Sequence, residues 1–410
     1  MLGNVAQWGR IFEALRYRNY RIFWLGMVSS VTGYQILVPT QTYLAYELTG
    51  SALLLGTVGL MTAAPAIALS LFGGVVADQV DQRRLLMVTQ SLSGSMVVVV
   101  TFLAFTGLIS IWHILALAFL IGSVQAFDGP TRQALYPHLV ARKDLGNAVA
   151  LNSSVWQGTR IIGPSIFGVL VGTIGVAACY LVSGTGMFLQ AVAVRLIQVP
   201  PIPRARGRML AELGAGLGFL RHNPLFLSLI GMTFFNSMFG MSYIFLMPIF
   251  AQDILGRGPE VIGALLAMSG LGALLGVFIA ATLNDVQQRG LLIIGGAVAF
   301  GAFLMAFAYS SSFILSMGLV FFAGLTNFLY LIAVMTTLQV LVPDEFRGRV
   351  MGFYGMTWSL APLGAMQAGA IANFLGAPFA VALGGMLVIA FALVAAAGNT
   401  HIRRLRAPAV

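Results

Sequence analysis

The chain has 410 residues, 59% of them hydrophobic and only 8% charged, whereas soluble domains carry about 25% charged residues, so it cannot cover a water-facing surface. Its formal net charge of +10 is scattered along the edges of apolar runs rather than gathered on one face, which excludes a nucleic-acid-binding role and leaves the cations as topology determinants beside anionic lipid. The single cysteine, Cys179, lies in an apolar run, and neither CxxC nor Cys/His spacing occurs; no internal disulfide, metal site or cofactor is expected.

In chain order, residues 1–20 form a basic amphipathic lead-in with Arg10, Arg16 and Arg18, placed on the inner membrane surface. The first apolar run is too long, and its polar flank too extended, for a cleaved signal peptide. Each apolar run reaches about 20 residues or more, enough to cross about 30 Å of hydrocarbon as helix. Barrel-type alternation is missing, so helices remain the way to satisfy the backbone in lipid. Six spans are expected over 21–45, 52–77, 85–108, 112–136, 147–172 and 175–198. The stretch 199–223, with Pro200, Pro201, Pro203, Arg204, Arg206, Arg208 and Arg221, is the long polar break, and Met209–Leu220 within it fits a short surface helix. Six further spans follow over 224–251, 260–283, 291–308, 312–340, 349–372 and 377–398, before a tail with His401, Arg403, Arg404 and Arg406.

Of the 22 basic residues, all but Arg160 and Arg257 fall in or beside every second gap between runs. Cationic loops are retained on the cytoplasmic side, so both termini are expected inside a bacterial inner membrane. The pattern also repeats. LTGSALLLG from Leu48 matches ILGRGPEVIG from Ile254, DQRRLL from Asp81 matches QQRGLL from Gln287, and LVARKDLGNAV from Leu139 matches LVPDEFRGRVM from Leu341. The fold class is thus an all-α membrane protein with 12 transmembrane helices in two pseudo-symmetric halves: a six-helix bundle over 1–198, a cytoplasmic linker over 199–223 and a second bundle over 224–410. Two such halves place a binding site at their interface near mid-bilayer, where rocking exposes it to either side in turn.

The sharpest local motif is GGVVADQVDQRR, Gly73 to Arg84, joining the inner ends of the second and third spans. Gly74 permits close helix approach, Asp78 can face a helix N-terminus, and Arg83 and Arg84 can clamp carboxylates, together an inner gate; a tight basic turn that only fixes topology is the alternative. In these residues the chain resembles the major facilitator superfamily, whose inner loop reads Gly-x-x-x-Asp-basic-x-Gly-x-basic-basic. Gly74, Asp78, Arg83 and Arg84 match, whereas Gln79 and Asp81 replace the usual basic residue and glycine. In the second half Ala280, Asn284 and Arg289 stand in the corresponding places. YRNYRIFWLG, DGPTRQALYPHLV, RIIGPSIFG and LVPDEFRGRVMGFYGM are similar to the bacterial secretion-type branch that includes the enterobactin exporter. Gly163-Pro164, with Gly158 and Gly168, is similar to the fifth-span motif of facilitator antiporters and implies an outer seal; ordinary small-residue packing is the alternative.

Charges within spans are expensive and mark function by default. Asp128 and Arg132 are four apart on one helical face, and Arg160 sits near the middle of the fifth span. One reading makes Asp128 a titrating group with Arg160 or Arg132 as alternating partner, coupling proton entry to export. The other makes these residues a permanent ion-pair network tied to the inner gate, and a third lets Arg160 meet an anionic substrate group. The resemblance places the cavity on the first, fourth, seventh and tenth spans, whose polar and aromatic members include Tyr34, Gln35, Gln125, Asn236, Tyr243, Asn327 and Tyr330, with Trp156 and Trp358 on its flanks. A Met- and Phe-rich seventh span suits varied apolar ligands.

These features imply a monomeric, non-enzymatic secondary transporter that exports an amphipathic small molecule, drug-like or siderophore-like, by proton antiport. No ATP-binding phosphate loop is present. An uptake symporter of the same fold is the alternative, and a membrane-embedded lipid-modifying enzyme a more distant one.

Overall fold

The computed structural model describes residues 13–199, 209–282, 288–403 and 405; the lead-in before Glu13, linker residues 200–208 with their arginines, Asn284 and Asp285, and Arg404 and Arg406 of the tail lie outside the described residues. Among the described residues every regular element is helical. The first half supplies α1 (Arg18–Thr49), α2 (Ala52–Gln79), α3 (Gln82–Phe105), α4 (Ile111–Leu135), α5 (Leu145–Thr173) and α6 (Val176–Leu196). The second supplies α7 (Met209–His222), α8 (Pro224–Phe235), α9 (Tyr243–Ile249), α10 (Glu260–Thr282), α11 (Arg289–Ala308), α12 (Phe313–Leu341), α13 (Asp344–Trp358), α14 (Ala361–Leu375), α15 (Ala377–Gly398) and α16 (Thr400–Arg403).

Among the described residues ten segments are long and apolar enough to cross a membrane. The fifth and eleventh expected spans fall outside that set for two different reasons. The α5 helix is 29 residues long but carries Asn147, Asn152, Gln157 and Arg160. The eleventh is not one helix: Ser359 and Leu360 break it into α13 and α14, each of 15 residues, and a helix rises only about 1.5 Å per residue. Pro362 lies in the first turn of α14, where its missing N–H leaves no bond unmade. The seventh span is also interrupted, by π turns at Asn236–Gly240 and Phe250–Ile254 on either side of α9.

The turns carry the duplication. Among the described residues every positive-φ position is a glycine, Gly50, Gly107, Gly175, Gly256 and Gly376, and each lies in, or at the edge of, a gap expected on the outer side. Gly50 and Gly256, which match in the two repeated segments, have φ of 60° and 59°, a conformation in which a side chain would clash.

The chain clusters into two compact units, Met1–Leu48 with Met61–Arg206, and Thr49–Leu60 with Gly207–Val410. Each unit uses the same close approach. In the first, a side chain at Gly122 of α4 would strike the Thr62 carbonyl of α2; in the second, one at Gly324 of α12 would strike the Ser269 carbonyl of α10. Small residues let helix backbones approach without a hydrophobic driving force. Within the second unit the Thr49–Leu60 segment packs on α14: Gly56 and Gly59 face Pro362, Ala365 and Met366, while Gly369 faces Ala52. The α7 helix is more than a surface element, because Leu220 is buried and Phe219 stacks between Phe226 and Phe346 with centroids 5.6 and 4.4 Å away.

The YRNYRIFW segment is explained by α5. Tyr17 donates to the Asp144 carboxylate (2.7 Å), Tyr20 to the Ala148 carbonyl (2.8 Å) and Trp24 to the Leu151 carbonyl (3.1 Å). Three donors spaced by about one turn, Tyr17 just before α1 and Tyr20 and Trp24 within it, thus follow the N-cap and first turns of α5. The hydrogen bond from Tyr17 to Asp144 is the largest of the causes that raise the phenol above its ordinary 10.0. This link is therefore complete below about pH 10 and is lost as pH rises through the raised value. Tyr20→Phe removes a buried donor and should lower stability by about 1 kcal/mol, read as a lower melting temperature of the purified protein; an unchanged melting temperature would show that the clasp contributes nothing.

Candidate coupling site and inner-loop motif

The inner turn between α2 and α3 is built by Asp81, the residue that replaces the usual glycine. Its carboxylate accepts from the Arg84 backbone N–H (3.1 Å) and caps α3, with the Arg84 guanidinium 3.5 Å away and largely exposed. Arg83 reaches instead to the end of α6, donating to the carbonyls of Val194 (3.0 Å) and Arg195 (2.6 Å). A cation there meets the negative end of the helix dipole and satisfies terminal carbonyls. Gly74 is half-buried in α2, and the Asp78 side chain lies outside the described residues. The motif residues thus lie at one end of the unit, with Arg83 joining α3 to α6.

Deeper in the same unit, Asp128 and Arg132 meet on α4. Arg132 Nε donates to Asp128 Oδ2 at 2.6 Å, and the two residues are 7% and 4% exposed. The other carboxylate oxygen accepts from Thr89 (3.0 Å) and Gln90 (2.7 Å) of α3, while Arg132 Nη2 donates to Ser30 of α1 (2.9 Å). Among the described residues this is the buried charged pair, and it ties three helices together. Arg132 Nη1 and Gln90 Oε1 have no hydrogen-bond partner. Sequence reasoning identified the pair but missed Ser30, Thr89 and Gln90, whose one signal was polarity within apolar runs.

On α5, Arg160 is half-buried and not without partners. One turn on, Gly163 lies where a side chain would strike Gln35 of α1, and Pro164 is buried beside it. Tyr34, Gln35 and Gln125 are half-buried in the first unit, and Trp156 is exposed. In the second unit Asn236, Tyr243, Asn327 and Tyr330 are buried and Trp358 is half-buried. The Tyr243 hydroxyl lies 2.8 Å from Ser269 Oγ, Asn327 Nδ2 donates to Met241 Sδ at 3.1 Å, and Trp358 lies 6.1 Å from the Phe328 ring.

Removing one partner of a buried pair strands the other charge, at a cost of about 3–5 kcal/mol. Asp128→Ala should therefore lower the melting temperature sharply, and the double variant Asp128→Leu/Arg132→Met should recover much of the loss. Equal destabilisation by the single and double variants would contradict a coupled pair.

A family model described as transmembrane secretion effector matches residues 10–407. Macrolide efflux protein A of Streptococcus pyogenes is 24% identical over 410 residues, covering 95% of this chain and 99% of the relative. The enterobactin exporter EntS of Escherichia coli O127:H6 is 27% identical over 339 residues, covering 80% and 77%. Among solved structures, an inward-facing, occupied bacterial homologue of the human lysosomal transporter Spinster aligns with a TM-score of 0.74 at 16% identity, covering 94% of this chain and 98% of that one. A D-xylose–proton symporter aligns at 0.70 and 13% identity, covering 92% and 97%. These structures share the fold of major facilitator transporters. The chain belongs to the transmembrane secretion effector family, multi-pass membrane proteins of the major facilitator type that act in efflux and secretion and are transporters, not enzymes.

Proposed function

We propose that the protein exports an amphipathic organic molecule, drug-like or siderophore-like, across the bacterial inner membrane in exchange for protons. The relatives support this substrate class: besides macrolide and enterobactin export, they include a multidrug efflux pump of Mycolicibacterium fortuitum and a staphyloferrin A transporter of Staphylococcus aureus. The protein works as a monomer with both termini cytoplasmic, and its halves, 1–198 and 224–410, rock about the linker 199–223 to expose one site alternately. Gly74, Asp78, Arg83 and Arg84 form the inner gate. Gly163 and Pro164 bend α5 against α1 to form the outer seal. Tyr34, Gln35, Gln125, Trp156, Asn236, Tyr243, Asn327, Tyr330 and Trp358 are the residues assigned to the substrate path.

The observation that carries the coupling is the bond between Asp128 and Arg132 inside the first unit. A proton and a guanidinium compete for the same carboxylate. When Asp128 is ionised it holds Arg132 and accepts from Thr89 and Gln90. Protonation weakens that hold, leaves Arg132 in need of another anion or dipole, and loosens the tie through Ser30 to α1. Arg160 on α5 is the second cation that can take over the ionised carboxylate.

Everted membrane vesicles test this directly. With the interior acidified, wild-type vesicles should accumulate erythromycin or a catecholate siderophore, and the Asp128→Asn variant should lose the dependence on the gradient while still folding. Wild-type coupling in the variant would remove Asp128 from the mechanism. Flux driven only in the opposite direction would make the protein an uptake symporter.

A further inference from the structure

The second unit buries amides that its own helices leave unsatisfied. Asn236 is 0% exposed, and neither its Oδ1 nor its Nδ2 has a hydrogen-bond partner. Asn327 is 2% exposed and uses Nδ2 on the Met241 sulfur, but its Oδ1 is unpartnered. Tyr330, one turn farther along α12 and 0% exposed, leaves its hydroxyl unpartnered. Met241 links Asn236 and Asn327: its backbone N–H closes the π turn on the Asn236 backbone carbonyl (2.8 Å) while its sulfur contacts the Asn327 side chain (3.1 Å). A side chain at Gly240 would lie 3.0 Å from Asn236 Oδ1 and 2.7 Å from the Phe300 ring, so the asparagine folds over a glycine that cannot be replaced without displacing it.

Buried polar groups are nearly always satisfied, and a cluster that is not calls for a guest. Water or a small ligand enters only where several polar groups converge. The unpaired groups determine the guest's chemistry. Asn236 offers a donor and an acceptor, Tyr330 a hydroxyl that can do both, and Asn327 an acceptor. A cation would leave the Asn236 donor unmet and an anion would leave the acceptors unmet. Charged side chains are absent from the described buried residues of this unit, since Asp128 and Arg132 belong to the other. A π turn at Asn236–Gly240 adds an irregular backbone of the kind that gathers at functional sites.

We propose that Asn236, Asn327 and Tyr330 form an occluded site in the second unit for an uncharged hydroxyl-like group, supplied by water or by a hydroxyl of the transported molecule. The second source rests on the export reading; the first does not.

The sign of a stability change tests the site. Leucine at position 236 evicts the guest and strands Asn327 and Tyr330, so Asn236→Leu should lower the melting temperature of the purified full-length protein, whereas Asn236→Ser, which leaves room for an added water, should remain close to wild type. An unchanged or raised melting temperature in Asn236→Leu would overturn the proposal, because a polar defect in a dry core is relieved by an apolar isostere. Binding to Tyr330→Phe then separates the sources. About tenfold weaker binding of hydroxyl-rich erythromycin, with unchanged binding of tetraphenylphosphonium, identifies a substrate hydroxyl. Unchanged binding of both probes identifies water, as does a wild type that binds neither, a result that would count against the export reading alone.

Discussion

A charge in hydrocarbon must be paired, and that constraint organises the first unit. Asp128 and Arg132 neutralise each other on one face of α4. Their remaining hydrogen-bonding capacity is spent on other helices, through Thr89 and Gln90 on α3 and Ser30 on α1. The pair therefore fixes the rotation of three helices about their axes as well as their charge balance. The pair is thus a structural tie among three helices, and under the proposed function it is the place where a proton would couple to movement.

The two units share a plan and differ in chemistry. Gly122 and Gly324 allow equivalent helix approaches, and Gly50 and Gly256 make equivalent turns. The buried charges of the first unit have no counterpart among the described buried residues of the second, which holds neutral groups, Asn236, Asn327 and Tyr330. Neutral hydrogen-bonding groups are buried in both units, Gln90 and Gln190 in the first and Asn236 and Asn327 in the second, so among the described residues the difference lies in the buried charges.

Features that depend on local chain chemistry could be read from the sequence. Run length gave the apolar helices, and four-residue spacing put Asp128 and Arg132 on one face. Features that depend on how helices rotate against one another could not. Nothing in the order of residues says that Thr89 and Gln90 turn toward Asp128, or that Arg83 points to the last carbonyls of α6. The same holds for Asp81, whose role as a cap appears once α3 begins at Gln82. The break at Ser359 and Leu360 escaped because Pro362 is compatible with a kinked helix as well as with a new start. The π turns flanking α9 have no signature beyond Pro248 within the helix.

Infrared difference spectroscopy of the purified protein reports the protonation of a single buried carboxyl through its C=O stretch. On binding of erythromycin at constant pH, Asp128 should pass between its ionised, Arg132-bound form and its protonated form, giving a carboxyl difference band that disappears in Asp128→Asn. A spectrum with no carboxyl band, or one identical in wild type and variant, would mean that the Asp128–Arg132 pair stays fixed through the cycle and that the coupling lies elsewhere.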